Sequence, residues 1–117
     1  MRVMLVDDDP ALLTLMKGWA MRAGHEAIGF SRFDAAKDYL ATTTPDALIA
    51  DVRLGAFNGL QLVVQAKLDH PELIAIVLTG YDDPVLRKEA NATDAHYLVK
   101  PVDAEQVLSC LKPRRVP

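Results

Sequence analysis

Short strand-like runs alternate with helical patterns along this chain. The strand-like runs lie at residues 3–6, 25–30, 47–50, 74–78 and 96–99. Between them, apolar residues recur every three or four positions, which is the spacing of an amphipathic helix. Strands that alternate with helices in this way predict an α/β protein with a parallel sheet. We therefore expect one three-layer (βα)₅ domain without an internal linker or repeat.

Local signals mark where the predicted helices begin. Asp9-Pro10 and Asp83-Pro84 each combine a capping side chain with a first-turn proline. Ser31 is the predicted cap of the second helix, and Asp103 with Gln106 forms a capping-box pattern before the fifth.

The predicted helices end at residues that helices disfavour. Gly24 ends the first helix, and His70-Pro71 ends the third because a residue before proline avoids helical geometry. Pro45 follows the second helix and Pro113 ends the fifth. One set of apolar side chains per helix is expected to face the core: Leu12, Met16, Trp19, Ala20 and Ala23; Ala36, Tyr39 and Leu40; Leu60, Val63, Val64 and Leu68; a weak set of Val85, Leu86 and Ala90; and Ala104, Val107, Leu108 and Leu111.

Polar residues of a restricted kind follow four of the predicted strands. The first strand ends in Asp7-Asp8-Asp9, the third in Asp51, the fourth in Thr79 and the fifth in Lys100. The C-terminal ends of parallel strands form the ligand crevice of an open α/β sheet. Carboxylates, a hydroxyl and an ammonium around one crevice indicate chemistry with a divalent cation and a phosphoryl group.

The composition narrows the class of protein. Half of the 117 residues are hydrophobic, a quarter are charged, and the net charge is −3. This charge argues against a nucleic-acid surface, although Arg114 and Arg115 give the tail a small positive patch. No apolar run approaches the roughly 20 residues that span a bilayer, and no signal-peptide pattern opens the chain. Cys110 is the only cysteine, which excludes an internal disulfide and favours a reducing cytoplasm.

The ordered motifs resemble those of the receiver domain of two-component response regulators. They are Val6-Asp7-Asp8-Asp9-Pro10, Asp51 with Gly59 eight residues later, Thr79-Gly80, and Tyr97-Leu98-Val99-Lys100-Pro101. Each motif alone is weak, but their occurrence in this order, each at a predicted strand end, is specific. The resemblance covers essentially the whole chain. It implies a flavodoxin-like, doubly wound sheet of five parallel strands in the order 2-1-3-4-5.

The resemblance also implies the roles of the site residues. Asp51 would be the phosphoacceptor, because a carboxylate can form an aspartyl phosphate. Asp7 and Asp8 would hold Mg²⁺ together with Asp51, and the backbone carbonyl of Arg53 would complete the protein ligands. Lys100 would pair with the phosphoryl oxygens as a point charge. Such a domain catalyses its own phosphorylation and slow dephosphorylation and is otherwise not an enzyme.

A conformational switch is implied as well. Thr79 would donate a hydrogen bond to the phosphoryl group, and Tyr97 would turn inward when Thr79 moves. The alternative for Tyr97 is a half-buried strand aromatic without a switching role. Gly80 would leave space for the phosphodonor, and Pro101 would follow a cis peptide bond.

Four positions depart from the family pattern or vary within it. Gly55 stands where the family often has proline, and Asp94 stands where glycine is frequent. Arg53 and Tyr81, each two residues past a motif residue, occupy variable positions. We expect these departures to alter the lifetime of the phosphorylated state, with Arg53 and Tyr81 screening the site from water.

Two other functions compete with this one. Asp7-x-Asp9 is similar to the start of haloacid-dehalogenase phosphatases, but that family has threonine where this chain has Ala11, and it needs a longer chain. A receiver fold that never accepts phosphate is the second rival, although such domains usually lose an acid or the lysine.

Asp82 and Asp83 are read as a helix-start cap and not as a second metal site.

The implied organisation is a receiver domain over residues 1–112 and a tail or linker over residues 113–117. The implied partners are a sensor histidine kinase or a histidine phosphotransfer protein, and a C-terminal effector domain outside this chain. A homodimer would use the face of the fourth helix, fifth strand and fifth helix. Membrane contact and direct nucleic-acid binding by this domain are not expected.

Overall fold

The computed structural model describes residues 1–112, except for the side chain of Leu54. The predicted tail at residues 113–117 lies outside the described residues. We label the strands of the main sheet β1–β5, and the elements in chain order are β1 Arg2–Val6, α1 Pro10–Arg22, β2 Glu26–Phe30, α2 Phe33–Thr42, β3 Ala47–Asp51, α3 Leu60–Asp69, β4 Ile74–Thr79, α4 Pro84–Ala92, β5 His96–Val99 and α5 Ala104–Cys110.

The main sheet has five parallel strands in the order β2-β1-β3-β4-β5. The predicted doubly wound topology is therefore confirmed. The strand β1 lies beside β3, with Val6 opposite Ala50, so the acids that follow these two strands emerge next to each other. The strand β4 separates β3 from β5, which places Thr79 between the ends that carry Asp51 and Lys100.

Helices cover both faces of the sheet. One core contains buried side chains from α1 and α5, including Met16 and Val107, against alternate residues of the strands. The other contains buried residues from α2, α3 and α4, including Ala36, Val63 and Ala90. Because β1 and β3 are covered on both faces, their side chains from Val3 to Val6 and from Ala47 to Ala50 are apolar without alternation.

The predicted helix starts are confirmed at three of four positions. Asp9 accepts from the N–H of Ala11 at 3.0 Å, and Asp83 accepts from the N–H of Val85 at 2.9 Å. Asp103 and Gln106 form a reciprocal capping box. The prediction for Ser31 is wrong, because the cap position of α2 is Arg32, whose side chain makes no capping hydrogen bond.

The predicted inner face of α3 is partly wrong. Leu60 and Val63 are buried, but Val64 is 37% exposed and Leu68 is 72% exposed. Residues four apart drift by about 40° around a helix, so the series that starts at Leu60 rotates out of the core. The remaining buried positions of α3 are Leu62 and Ala66.

Two more side chains expected in the core are exposed. Ala23 is the C-cap residue of α1, beyond its last buried turn, and Val85 in the first turn of α4 is 66% exposed. After Ala23, the chain reverses direction at Gly24, whose positive φ of 89° favours glycine.

A two-strand ribbon follows β3 where a plain loop was expected. Arg53–Leu54 pairs antiparallel with Phe57–Asn58, and Gly55 turns the ribbon with a φ of 62°.

No helix among residues 1–112 has both the length and the apolar character needed to cross a bilayer.

Candidate phosphoryl-transfer site

Three carboxylates meet where β1 and β3 end. Asp7 is fully buried and Asp51 is 5% exposed, whereas Asp8 is exposed. One oxygen from each of the three residues lies within 4.8 Å of the others, which is a spacing that could hold a divalent metal ion. The strand order therefore brings together the three acids that the sequence predicted as metal ligands.

Backbone amides orient two of these carboxylates. The N–H of Asp9 donates to Asp7 Oδ1 at 2.9 Å, and the N–H of Arg53 donates to Asp51 Oδ1 at 3.1 Å. In each of these two acids the other oxygen, Oδ2, is not used by the backbone amide and faces Lys100. The predicted role of the Arg53 carbonyl as a metal ligand stays a prediction.

Lys100 bridges the two buried acids. Its Nζ lies 2.9 Å from Asp51 Oδ2 and 2.9 Å from Asp7 Oδ2. The contact with Asp51 is a hydrogen bond, whereas the contact with Asp7 is an ion pair with poorer alignment. Among the described residues, Asp7 Oδ2 has no hydrogen-bond partner. A buried carboxylate oxygen that accepts no hydrogen bond is suited to bind a hard cation.

The buried charges perturb each other. Burial raises the pKa of the Asp7 carboxyl, and the nearby Asp51 charge raises it further, against the lowering effects of the Asp9 amide and Lys100. Burial lowers the pKa of the Lys100 ammonium, but its contacts with Asp51 and Asp7 outweigh burial and raise this pKa above its ordinary value. Lys100 is therefore a fixed positive charge in the site at neutral pH.

The Thr79 hydroxyl lies at the end of β4 but is occupied by its own loop. Its side chain donates to the Tyr81 carbonyl at 2.8 Å and accepts from the Tyr81 N–H at 3.1 Å. Next to it, a Cβ added to Gly80 would meet no atom within 4 Å, so the approach to the site is open there.

The Tyr97 hydroxyl contacts the same loop from the other end. It accepts from the Asp83 N–H at 3.0 Å and donates to Asp82 Oδ1 at 3.2 Å. The structure thus places the Tyr97 hydroxyl on the loop between β4 and α4, where its partners are Asp82 and Asp83 and not the site carboxylates. Lys100-Pro101 is a cis peptide bond, which the resemblance to receiver domains implied and the sequence alone left open.

The family model described as response regulator receiver domain matches residues 3–112. The chain belongs to this family. It is thus a receiver domain of two-component signalling, and the phosphatase alternative is set aside.

Two relatives illustrate how this receiver relates to longer proteins. The DNA-binding transcriptional regulator NtrC of Klebsiella pneumoniae is 32% identical over 108 residues, which cover 90% of this chain and 23% of that protein. The photosynthetic apparatus regulatory protein RegA of Rhodobacter capsulatus is 33% identical over 112 residues, which cover 93% of this chain and 60% of that protein. The receiver chain therefore spans less than two thirds of each relative.

Solved structures share the receiver fold. A response regulator receiver domain protein from Methanospirillum hungatei JF-1 has a TM-score of 0.84 at 24% identity, covering 92% of this chain and 87% of that one. A response regulator from Burkholderia pseudomallei, solved with a phosphorylated aspartic acid, a calcium ion and citrate, has a TM-score of 0.86 at 24% identity. That match covers 95% of this chain and 66% of the other.

The sequence did not predict the contacts that Asp82 makes beside the site. Asp83 caps α4 as predicted, but Asp82 does not share that role: its Oδ1 accepts from Tyr97 and also from Arg87 Nη2, at 3.1 Å. Asp82 precedes α4 and Arg87 lies within it, five residues later. Side chains that pair along a helix are three or four residues apart, so this spacing does not predict the contact. Only the folded loop brings them together.

Proposed function

We propose that this receiver domain accepts a phosphoryl group on Asp51 from a sensor histidine kinase or a histidine phosphotransfer protein. An Asp51 carboxylate oxygen attacks the phosphorus, the bond between phosphorus and the donor imidazole nitrogen breaks, and the imidazole leaves after taking a proton. The observation that carries this proposal is a nearly buried carboxylate that shares a strand-end crevice with two acids and a lysine.

The chain's own residues would supply most of the catalysis. The Arg53 amide orients Asp51, so one carboxylate oxygen is held while the other is available for attack. Lys100 already lies 2.9 Å from Asp51 and would exchange this contact for the incoming phosphoryl oxygens. The same groups, with water as the nucleophile, would support slow self-dephosphorylation.

The divalent ion is proposed to be Mg²⁺. Asp8 and Asp51 would bind it directly, Asp7 would complete the acidic set, and the Arg53 carbonyl would supply the last protein ligand. When bound, Mg²⁺ neutralises charge that develops on the transferring phosphoryl group. Two observations support this assignment. The three acids have a suitable spacing, and Asp7 Oδ2 is ion-paired with Lys100 but accepts no hydrogen bond among the described residues.

Phosphorylation would switch the domain through Thr79 and Tyr97. A phosphoryl group on Asp51 favours the state in which Thr79 and Lys100 both reach it, so the loop after β4 moves toward the site. Tyr97 would then leave the loop and turn inward. The changed face would be α4, β5 and α5.

The wider setting is also proposed. Residues 1–112 would form the receiver, residues 113–117 would begin a linker or tail, and a C-terminal effector would read the switch. The NtrC and RegA relatives extend beyond the receiver, and this supports such an arrangement. The single Cys110 and a kinase partner favour the cytoplasm.

Intact-mass spectrometry after incubation with acetyl phosphate tests the chemistry. We expect one phosphoryl adduct that requires Mg²⁺, is absent from Asp51→Asn, and persists in the surface control Asp38→Asn. An adduct that survives Asp51→Asn would reject the acceptor assignment. If the folded parent gives no adduct and binds no beryllofluoride, the phosphate-independent interaction module is the better description.

A further inference from the structure

The loop between β4 and α4 is held at both ends by hydroxyl groups. Thr79 bonds to both backbone groups of Tyr81, and the Tyr97 hydroxyl bonds to the Asp83 N–H. A threonine hydroxyl has one donor hydrogen, so Thr79 cannot donate to a phosphoryl oxygen while it donates to Tyr81. Thr79 can therefore donate to the phosphoryl group only after its hydrogen bond to the Tyr81 carbonyl breaks, and this removes one of the contacts that hold the loop.

Two charged side chains hold the Tyr97 end of the loop. Arg87 Nη2 lies 3.1 Å from Asp82 Oδ1, and the Arg87 guanidinium carbon lies 4.5 Å from the centre of the Tyr97 ring. The same Asp82 oxygen accepts from the Tyr97 hydroxyl. Asp82, Arg87 and Tyr97 thus contact one another in all three pairs.

We propose that Asp82 and Arg87 are positioning residues that restrain phosphorylation of Asp51. They stabilise the loop position in which Thr79 is committed to Tyr81, so they lower the fraction of molecules ready to receive a phosphoryl group. The inference rests on the proposed function of Asp51. It adds that this chain sets its own sensitivity to phosphodonor through an ion pair outside the reacting groups.

The size of the effect follows from the contacts. The Asp82 and Arg87 side chains are about half exposed, so the ion pair is screened by solvent. The Arg87 side chain also lies over the ring of Tyr97, which is partly buried. Losing contacts of this strength shifts a two-state equilibrium by about three- to fivefold. The change is large enough to measure and too small to unfold the domain.

The test compares Arg87→Gln and Asp82→Ala with the parent and with Lys88→Gln. Lys88 is exposed on the same helix, so its replacement removes the same charge one residue further along. We expect Arg87→Gln and Asp82→Ala each to raise the initial rate of Mg²⁺-dependent labelling by acetyl phosphate, and the affinity for beryllofluoride, by about three- to fivefold. Lys88→Gln should match the parent.

A double-mutant cycle separates positioning from a general effect of charge. In a Tyr97→Ala background only the ion pair with Asp82 remains to be lost, so adding Arg87→Gln should give a clearly smaller gain than in the parent. An Arg87→Gln rate equal to that of Lys88→Gln, or a gain that persists undiminished without Tyr97, would overturn the inference while leaving Asp51 as acceptor. A parent that is not labelled on Asp51 would overturn both proposals.

Discussion

At the scale of single residues, the burial of Asp7 opposes stability in the absence of a cation. This carboxylate is fully buried, faces the charge of Asp51, and has one oxygen without a hydrogen bond among the described groups. We expect Asp7→Asn to raise the free energy of unfolding in metal-free buffer by about 1 kcal/mol. Urea denaturation with chelator checks this, with Asp38→Asn as the surface control.

The same variant has a defined pH dependence. The raised pKa of Asp7 means that the folded state binds a proton more readily than the unfolded state. Above the folded-state pKa, the charged Asp7 lowers the free energy of unfolding of the parent by the full amount. This loss of stability disappears as the pH falls through the folded-state pKa toward the unfolded-state pKa. The advantage of Asp7→Asn should shrink from neutral to acidic pH. An advantage that is constant over this range would contradict the assignment.

A second residue-scale prediction is that Arg53 and Tyr81 lengthen the lifetime of the phosphorylated state. Both side chains are exposed and line a cleft of about 350 Å³ beside Thr79. Because bulky side chains there obstruct attacking water, we expect Arg53→Ala with Tyr81→Ala to lose phosphate several times faster than the parent. The decay of the intact-mass adduct after donor removal measures this. Decay no faster than that of the parent would reject the screening role.

At the scale of elements, Lys67 joins the end of α3 to the start of β4. Its side chain is only 10% exposed, and its Nζ donates to the carbonyls of Pro71 and Leu73 at 3.1 and 2.8 Å. Lys67→Met keeps the aliphatic volume but leaves both acceptors without this donor. We expect a loss of about 2 kcal/mol in the free energy of unfolding by urea titration.

The exposed lysine of α2 gives a matched control for that change. Lys37→Met makes the same substitution where the side chain is exposed, so it should change the free energy of unfolding little. If the two variants lose equal stability, the Lys67 contacts do not join the two elements.

The helix α4 is packed less firmly than α3. Of its nine residues only Ala90 is buried, whereas α3 buries four of ten. Amides in α4 should therefore exchange with solvent faster than those in α3, because local opening exposes little apolar surface. Hydrogen-exchange mass spectrometry of the metal-free domain checks this. Protection of α4 equal to that of α3 would contradict it.

The comparison of these elements explains what the sequence could and could not predict. Strand runs, Asp-Pro helix starts and the motif acids depend on local patterns, and they predicted the parallel α/β class and the clustered carboxylates correctly. The strand order was implied by the resemblance to receiver domains, and it is also correct. The rotation of α3, which exposes Val64 and Leu68, depends on how the helix sits against its neighbours. The ribbon at Arg53 and the contact of Asp82 with Arg87 likewise arise only after the chain has folded.

One position illustrates how a departure from a family pattern can be absorbed. Asp94 stands where glycine is frequent, and the structure gives it the positive φ of 60° that glycine would adopt. Aspartate tolerates this conformation better than most residues. The turn into β5 therefore keeps its geometry with a different side chain.

At the scale of the whole molecule, the face of α4, β5 and α5 is the proposed dimer surface. Since Tyr97 and its loop belong to this face, a change in their position alters the surface that a second copy would meet. We expect sedimentation velocity to detect more dimer with beryllofluoride and Mg²⁺ than without, and no such increase for Asp51→Asn. Monomers under both conditions would reject the dimer.

The charged groups of the site come from two separate segments of the chain. Residues 1–70 carry all three site carboxylates, and residues 71–112 carry Thr79 and Lys100, while β3 and β4 join the two parts edge to edge. A chain cut between His70 and Pro71 would thus separate an acidic half-site from its counter-ion. We expect the two fragments to accept a phosphoryl group when mixed and neither to accept one alone. Phosphorylation of Asp51 would then report that the fragments have reassociated through the pairing of β3 with β4.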